Sequence, residues 1–163
     1  MAVDQFISFK GTIKGETSDA KMKAEGAIDV LAWSWGLSQS GTFHTGGGGG
    51  AGVANIQDLS FTHYIDKASA ALQMHCAIGK HIDEATLTVR KAGGKQEPYL
   101  KITMSPCMVT SVSTGGSGGE DRLTENVGLN FGKVKVEYFI QDEKGAVKSG
   151  GEYTYDIQQK KKI

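Results

Sequence analysis

Net charge, long apolar runs and reactive constellations are all missing from this chain, and each absence removes a class of function. Lys plus Arg number 18 and Asp plus Glu number 18, so no net field draws the protein to nucleic acid or to an anionic membrane. No nucleic-acid partner and no membrane insertion are expected. The one run of like charge, residues 160–162, reads as a solvated tail. No apolar stretch approaches the roughly 18 residues of a membrane-crossing helix. The opening MAVDQ has neither the basic nor the apolar region of a signal peptide, so synthesis in the cytoplasm without a cleavable leader is expected. Cys76 and Cys107 are the only cysteines. They could form one bridge, but a reducing compartment and the inward helix position of Cys76 favour two buried thiols.

The chemistry is equally sparse. His44, His63, His75 and His81 show neither an i,i+4 pair nor a Cys-x-x-Cys companion, so a metal site is not expected. Gly115-Gly116-Ser117-Gly118-Gly119 has the letters of a Gly-x-Ser-x-Gly elbow, but it lies in a polar loop too rich in glycine to form the strand-to-helix turn that an elbow needs, so it is not read as one. Neither glycine-rich stretch leads to Gly-Lys-Ser/Thr, and Glu120 and Asp121 beside the second would repel a phosphate. An enzyme and a bound cofactor are therefore not expected. Trp33 and Trp35 read as core residues before they read as a ligand platform.

What the chain has in excess is glycine, 23 of 163 residues, about twice average usage. Much of it falls in GGGGGAG (residues 46–52) and in STGGSGGEDRLTEN (residues 113–126). Glycine allows close backbone approach and leaves N–H and C=O groups free to pair, which suits both stretches to contact another surface; flexible hairpin tips are the plainer alternative. Residues 65–79, IDKASAALQMHCAIG, form the one convincing helix. Asp66 can accept from the amides of Ala68 or Ser69, and Gly79 can end the helix. Ala68, Ala71, Leu72 and His75 share a face that Cys76 and Ile78 broaden, with Lys67, Ser69 and Gln73 directed elsewhere.

Every other periodic segment reads as strand. Residues 5–9 begin a sheet, 17–26 form a polar loop, and 27–40 form one long strand that alternates Leu31, Trp33, Trp35 and Leu37 against Val30, Ala32, Ser34 and Gly36. Residues 53–64 follow the glycine tract. A hairpin joins 85–91 to 99–112 through AGGKQEP, with Pro106 expected at an edge or bulge. In residues 127–140 the apolar positions switch from odd to even at Gly132, which predicts a bulge or bend there. A turn at 142–145 leads to a last strand alternating Tyr153, Tyr155 and Ile157. Seven to nine strands and one helix in a single domain, 1–163, make a mainly β chain: a curled or closed antiparallel barrel with a helical lid.

The opening MAVD, the block IDVLAWSWGLSQSG, the run GGGGGAG leading to VANIQDLSFTHYIDKAS, the segment VRKAGG, and SVSTGGSGGEDRLTENV resemble the haemolysin-coregulated proteins (Hcp) of bacterial type VI secretion. The resemblance implies a β-barrel formed from two curled antiparallel sheets with one α-helix on its side. It implies a homohexamer whose stacked rings form a tube, carry or chaperone effector proteins in the lumen, meet tube-tip and sheath components, and are secreted. In such a ring the outward face of the strand around Ser34 is a candidate lumen lining that touches effectors. Gly46, Gly47, Gly48, Gly49, Gly50 and Gly52, with Gly115, Gly116, Gly118, Gly119, Glu120 and Asp121, are the candidate ring or inter-ring contacts. A monomeric small-ligand-binding barrel closed by the helix is the alternative.

Overall fold

The computed structural model describes residues 3–44, 46–47, 49–50 and 52–163. In chain order it holds strands β1 (Val3–Phe9), β2 (Ile28–Asp29), β3 (Ala32–Ser34), β4 (Leu37–Ser38), β5 (Asn55–Ile56) and β6 (Leu59–Tyr64), then helix α1 (Ser69–Ile78). After the helix come β7 (His81–Ile82), β8 (Ala85–Lys91), β9 (Pro98–Gly115), β10 (Thr124–Gln141), β11 (Val147–Asp156) and β12 (Lys161–Lys162).

β9 and β10 organise the molecule. They pair antiparallel from Thr124 opposite Gly115 to Tyr138 opposite Leu100. The other edge of β10 serves two neighbours in turn, β6 from Thr124 to Leu129 and β11 from Lys133 to Gln141. Ten strands thus share one curled sheet, in the order β12-β11-β10-β9-β8-β1-β2, with β6 joined to β10, β3 to β6 and β7 to β9. β4 and β5 form a separate two-stranded ribbon.

The hairpin of β8 and β9 lies where alternation placed it, with Gly93 (φ 84°) and Gly94 (φ 64°) supplying the left-handed turn residues. Three expectations are corrected. First, residues 27–40 are not one strand but β2, β3 and β4. The segment changes partner from β1 to β6, with the Val30 amide donating to Gln5 (2.9 Å) and the Leu31 amide to Thr62 (2.8 Å), before the ribbon leaves the sheet. Residues 28–34 thereby bridge the free edges of β1 and β6 as a length of chain, so the sheet curls without closing into an unbroken barrel ladder.

Second, of the bulge or bend expected at Gly132, the bulge is excluded, because no extra residue sits there. The extra residue is Thr110 on β9, opposite Gly128 and Leu129, and the register continues unshifted past Gly132. The apolar positions still change face at Gly132, in the ladder gap opposite Pro106, and β10 leaves β6 and takes up β11 across the same point; the Gly132 carbonyl accepts the Ile157 amide at 2.9 Å. Pro106 is on no edge. It faces Gly132 in a gap of the ladder, beyond Met104 where β8 ends and before Cys107 where β7 begins, so its missing N–H costs no bond. Third, residues 113–126 are a shorter loop than expected, since β9 runs to Gly115 and β10 starts at Thr124.

The core gathers Ile7 and Phe9 of β1, Leu59 and Phe61 of β6, Leu87 and Val89 of β8, Ile102, Met104 and Val109 of β9, and Val127, Leu129 and Val134 of β10. Helix α1 packs across β9 and adds Ala68 and Leu72 to it. Asp66 Oδ1 accepts the Ala68 amide at 2.8 Å, and Gly79 ends the helix at φ 65° with its amide on the His75 carbonyl. The buried stripe differs from the expected one at both ends. Ser69 is buried, its Oγ accepting the Asp66 amide at 3.0 Å, and Ile78 is 62% exposed.

Candidate assembly surfaces

Ser34 lies on the face of β3 turned away from the core. It is exposed, and its Oγ stands 2.8 Å from that of Ser60 across the ladder. The flanking tryptophans go the other way and are half-buried; Trp33 Nε1 donates to Gln5 Oε1 at 2.8 Å and Trp35 Nε1 to the Gln57 carbonyl at 3.0 Å. Cross-strand register continues the Ser34 face through Ser60 and Thr62, Asn126 and Gly128, then Ser111 and Ser113. All are small and uncharged. The Thr62 hydroxyl donates to Asn126 Oδ1 at 2.5 Å, and no Cβ fits at Gly128 without meeting Ser111. Such a face offers hydrogen bonds and no apolar anchor.

The two glycine-rich stretches do not meet. The first belongs to the arm between β4 and β5, where Gly46, Gly47, Gly49, Gly50 and Gly52 are exposed and Gly48 lies outside the described residues. Gly46 (φ 52°) and Gly47 (φ 89°) adopt left-handed backbone. The Thr42 hydroxyl closes the arm by donating to the Gly50 carbonyl at 2.7 Å. Leu37, Phe43 and Val53 stand exposed along it, Phe43 at 86%. The second stretch joins β9 to β10, with Gly115, Gly116, Gly118, Gly119, Glu120 and Asp121 all exposed. It is tied to the end of β6: the Ile65 amide donates to the Leu123 carbonyl at 2.9 Å, and the Arg122 guanidinium lies 3.8 Å over the Tyr64 ring. The arm departs from the Leu59 end of β6 and the second loop from the Tyr64 end, roughly 20 Å apart along a six-residue strand.

A family profile described as type VI secretion system effector, Hcp, matches residues 6–138. The protein hcp1 of Pseudomonas aeruginosa is 60% identical over 162 residues, covering 98% of each chain. The chain belongs to the Hcp family. Its fold is also that of solved family structures. Hcp1 from Salmonella typhimurium matches at TM-score 0.79 and 39% identity over the whole of both chains. A type VI secretion system effector from Yersinia pestis matches at TM-score 0.74 and 34% identity, covering 94% of this chain and 99% of that one.

In this Hcp-family chain two features escaped sequence reasoning. One is an overhang of the core-facing sheet surface. Val134, Val136, Tyr138 and Ile140 alternate on β10 as core residues should, yet only Val134 is fully buried, while Tyr138 is 48%, Ile140 40% and Tyr153 on β11 36% exposed. The opposite face carries Lys135, which pairs with Glu137 (3.6 Å) and Glu152 (3.7 Å). The other is a wholly buried polar pair, His63 and Glu125, with Nε2 and Oε1 2.9 Å apart. The spacing of Leu59, Phe61 and His63 carries the signal for the first partner; Glu125 was hidden in a segment whose composition reads as loop. Cys107 is buried too, and burial pushes its thiol up to about 12, so it is no nucleophile at neutral pH. No helix among the described residues is long and apolar enough to cross a membrane.

Proposed function

We propose that this chain is the tube subunit of a type VI secretion apparatus. Six copies close into a ring, rings stack into a tube, and the lumen carries effector proteins past sheath and tube-tip components until the subunit is itself secreted. The observation that carries the ring is the overhang of β10 and β11. Tyr138, Ile140 and Tyr153 extend a core-type apolar surface beyond the reach of the subunit's own core, which a neighbouring copy would cover. A ring needs two different patches on each subunit, because the contact is heterologous. The glycine-rich arm and the loop at residues 116–123 leave from opposite ends of β6, which supports contacts between successive rings. The neutral face around Ser34 supports a lumen wall that holds cargo through hydrogen bonds alone. A small-ligand barrel has less support, since the space beneath the helix is occupied by the core cluster that includes Leu72 and Val109.

Light scattering on the purified protein tests the ring directly. A mass about six times the 17.3 kDa of the chain is expected, and a monomer mass across the micromolar range would count against it. Deleting residues 45–52 should leave single rings and abolish tubes. Unchanged tube formation would remove the arm from the stacking contact.

A further inference from the structure

His63 and Glu125 are direct partners across β6 and β10, and both are 0% exposed. Glu125 is fully engaged: one oxygen takes His63 Nε2, and the other accepts the Gln73 amide of α1 at 3.1 Å. Nδ1 of His63 is buried with no hydrogen-bond partner. The carboxylate it faces is Asp66, whose Oδ2 lies 3.8 Å away, beyond hydrogen-bond reach. Asp66 belongs to the turn that starts the helix and follows Ile65, whose amide donates to the Leu123 carbonyl at the end of the loop at residues 116–123. An orphaned buried nitrogen beside a half-engaged carboxylate is a costly arrangement that a single proton relieves.

We propose that His63 and Asp66 form a proton-operated latch, in which one proton taken from solvent as the pH falls closes the 3.8 Å gap and tightens the helix start and the 116–123 loop onto the sheet. The bond that forms is from the protonated Asp66 carboxyl O–H to the unpartnered Nδ1 of His63. The groups facing the pair are Glu125 from β10, the neutral Gln73 from α1, the Phe61 ring 5.6 Å from the imidazole, and Glu16, which accepts the Lys67 amide at 3.2 Å. Arg122 and Asp29 line the same cleft as Asp66.

Burial, with smaller additions from Glu16 and Glu125, holds the Asp66 carboxyl above its ordinary value of 3.8, against the opposing Ala68 amide and His63. The folded protein therefore binds this proton more tightly than the unfolded chain does. The latch is fully closed below the ordinary Asp range and opens as the pH rises through the raised value.

The latch deepens the proposed function by naming a regulation of the 116–123 contact, but its readout lies within each subunit. Amide hydrogen exchange at Ala68, Ser69 and Leu72 would be followed from neutral pH down through the ordinary Asp value of 3.8, after removing the intrinsic pH dependence of exchange. Wild type should gain protection at these amides toward acid, because the folded protein binds the Asp66 proton more tightly than the unfolded chain does. Asp66→Asn, which keeps an acceptor for the Ala68 amide but holds no titrating proton, should stay flat. A flat wild type, or equal slopes in both proteins, overturns the proposal. Rings that fail to form would contradict the tube assignment while leaving this result standing.

Discussion

The hydroxyls of Ser34 and Ser60 meet on an uncovered sheet face, and a bulkier side chain there has room to project. Ser34→Gln should therefore cost under about 0.5 kcal/mol of stability, as surface changes do. In the proposed lumen it should also weaken cargo retention, by filling space a guest would use. A denaturant midpoint that falls by the equivalent of about 1 to 3 kcal/mol would mean an overpacked core and remove Ser34 from the wall. Alternation alone made this position legible, because the large tryptophans on either side declare which face is inward. Charged residues in the interior gave no such sign. Arg90 is 1% exposed and lies over the Phe6 ring at 4.8 Å, with its guanidinium bonded to Asp19. Asp19 sits in the polar loop at 17–26, 71 residues away, and only the folded chain shows that this loop is pinned across β1 and β8.

The helix and the β8–β9 hairpin were legible as elements because each carries its own stop signals. Gly79 is the clearest of these. Its φ of 65° is left-handed, and a Cβ there would meet nothing closer than Met108 Cε at 4.0 Å. Gly79→Ala should thus cost about 1–2 kcal/mol, all of it backbone strain, whereas Gly79→Asn should cost less, since Asn tolerates that conformation. Equal losses measured by thermal or denaturant unfolding would point to side-chain crowding and against the strain account. Where elements were misread, the cause lies between strands. Residues 27–40 have the alternation of a single strand, but three different partners divide them, and partner exchange leaves no mark on a local pattern. The bulge on β9 at Thr110 leaves no mark on the apolar pattern of β10, whose switch lies farther on at Gly132; the Thr110 hydroxyl donates to Asp58 Oδ2 at 2.8 Å.

The core-type surface that outruns the core is the patch the proposed ring would cover, and it lies on the second half of β10. The first half of that strand pairs edgewise with β9 and β6 and its second half with β9 and β11; Val127, Leu129 and Val134 are buried, whereas Tyr138 and Ile140 toward the far end stand exposed on the core-type face. Their apolar character was readable in the sequence; their exposure was not, since alternation distinguishes two faces without saying what covers either. Ile140 separates folding from assembly well, because its cross-strand partner is Lys148. Ile140→Asp would place a carboxylate opposite that ammonium, a pairing worth about 0.2–1 kcal/mol across an antiparallel ladder, so the subunit fold should hold. In a ring the same carboxylate would be pressed against apolar surface of the next subunit. Even about 1.4 kcal/mol lost at each contact is a tenfold weakening, and a closed ring of six has six such contacts. Sedimentation of Ile140→Asp should show monomers at concentrations where wild type is a ring, with the unfolding midpoint of the isolated subunit nearly unchanged. An intact ring in this variant would move the subunit contact away from the overhang, and a collapsed midpoint would make Ile140 part of the fold.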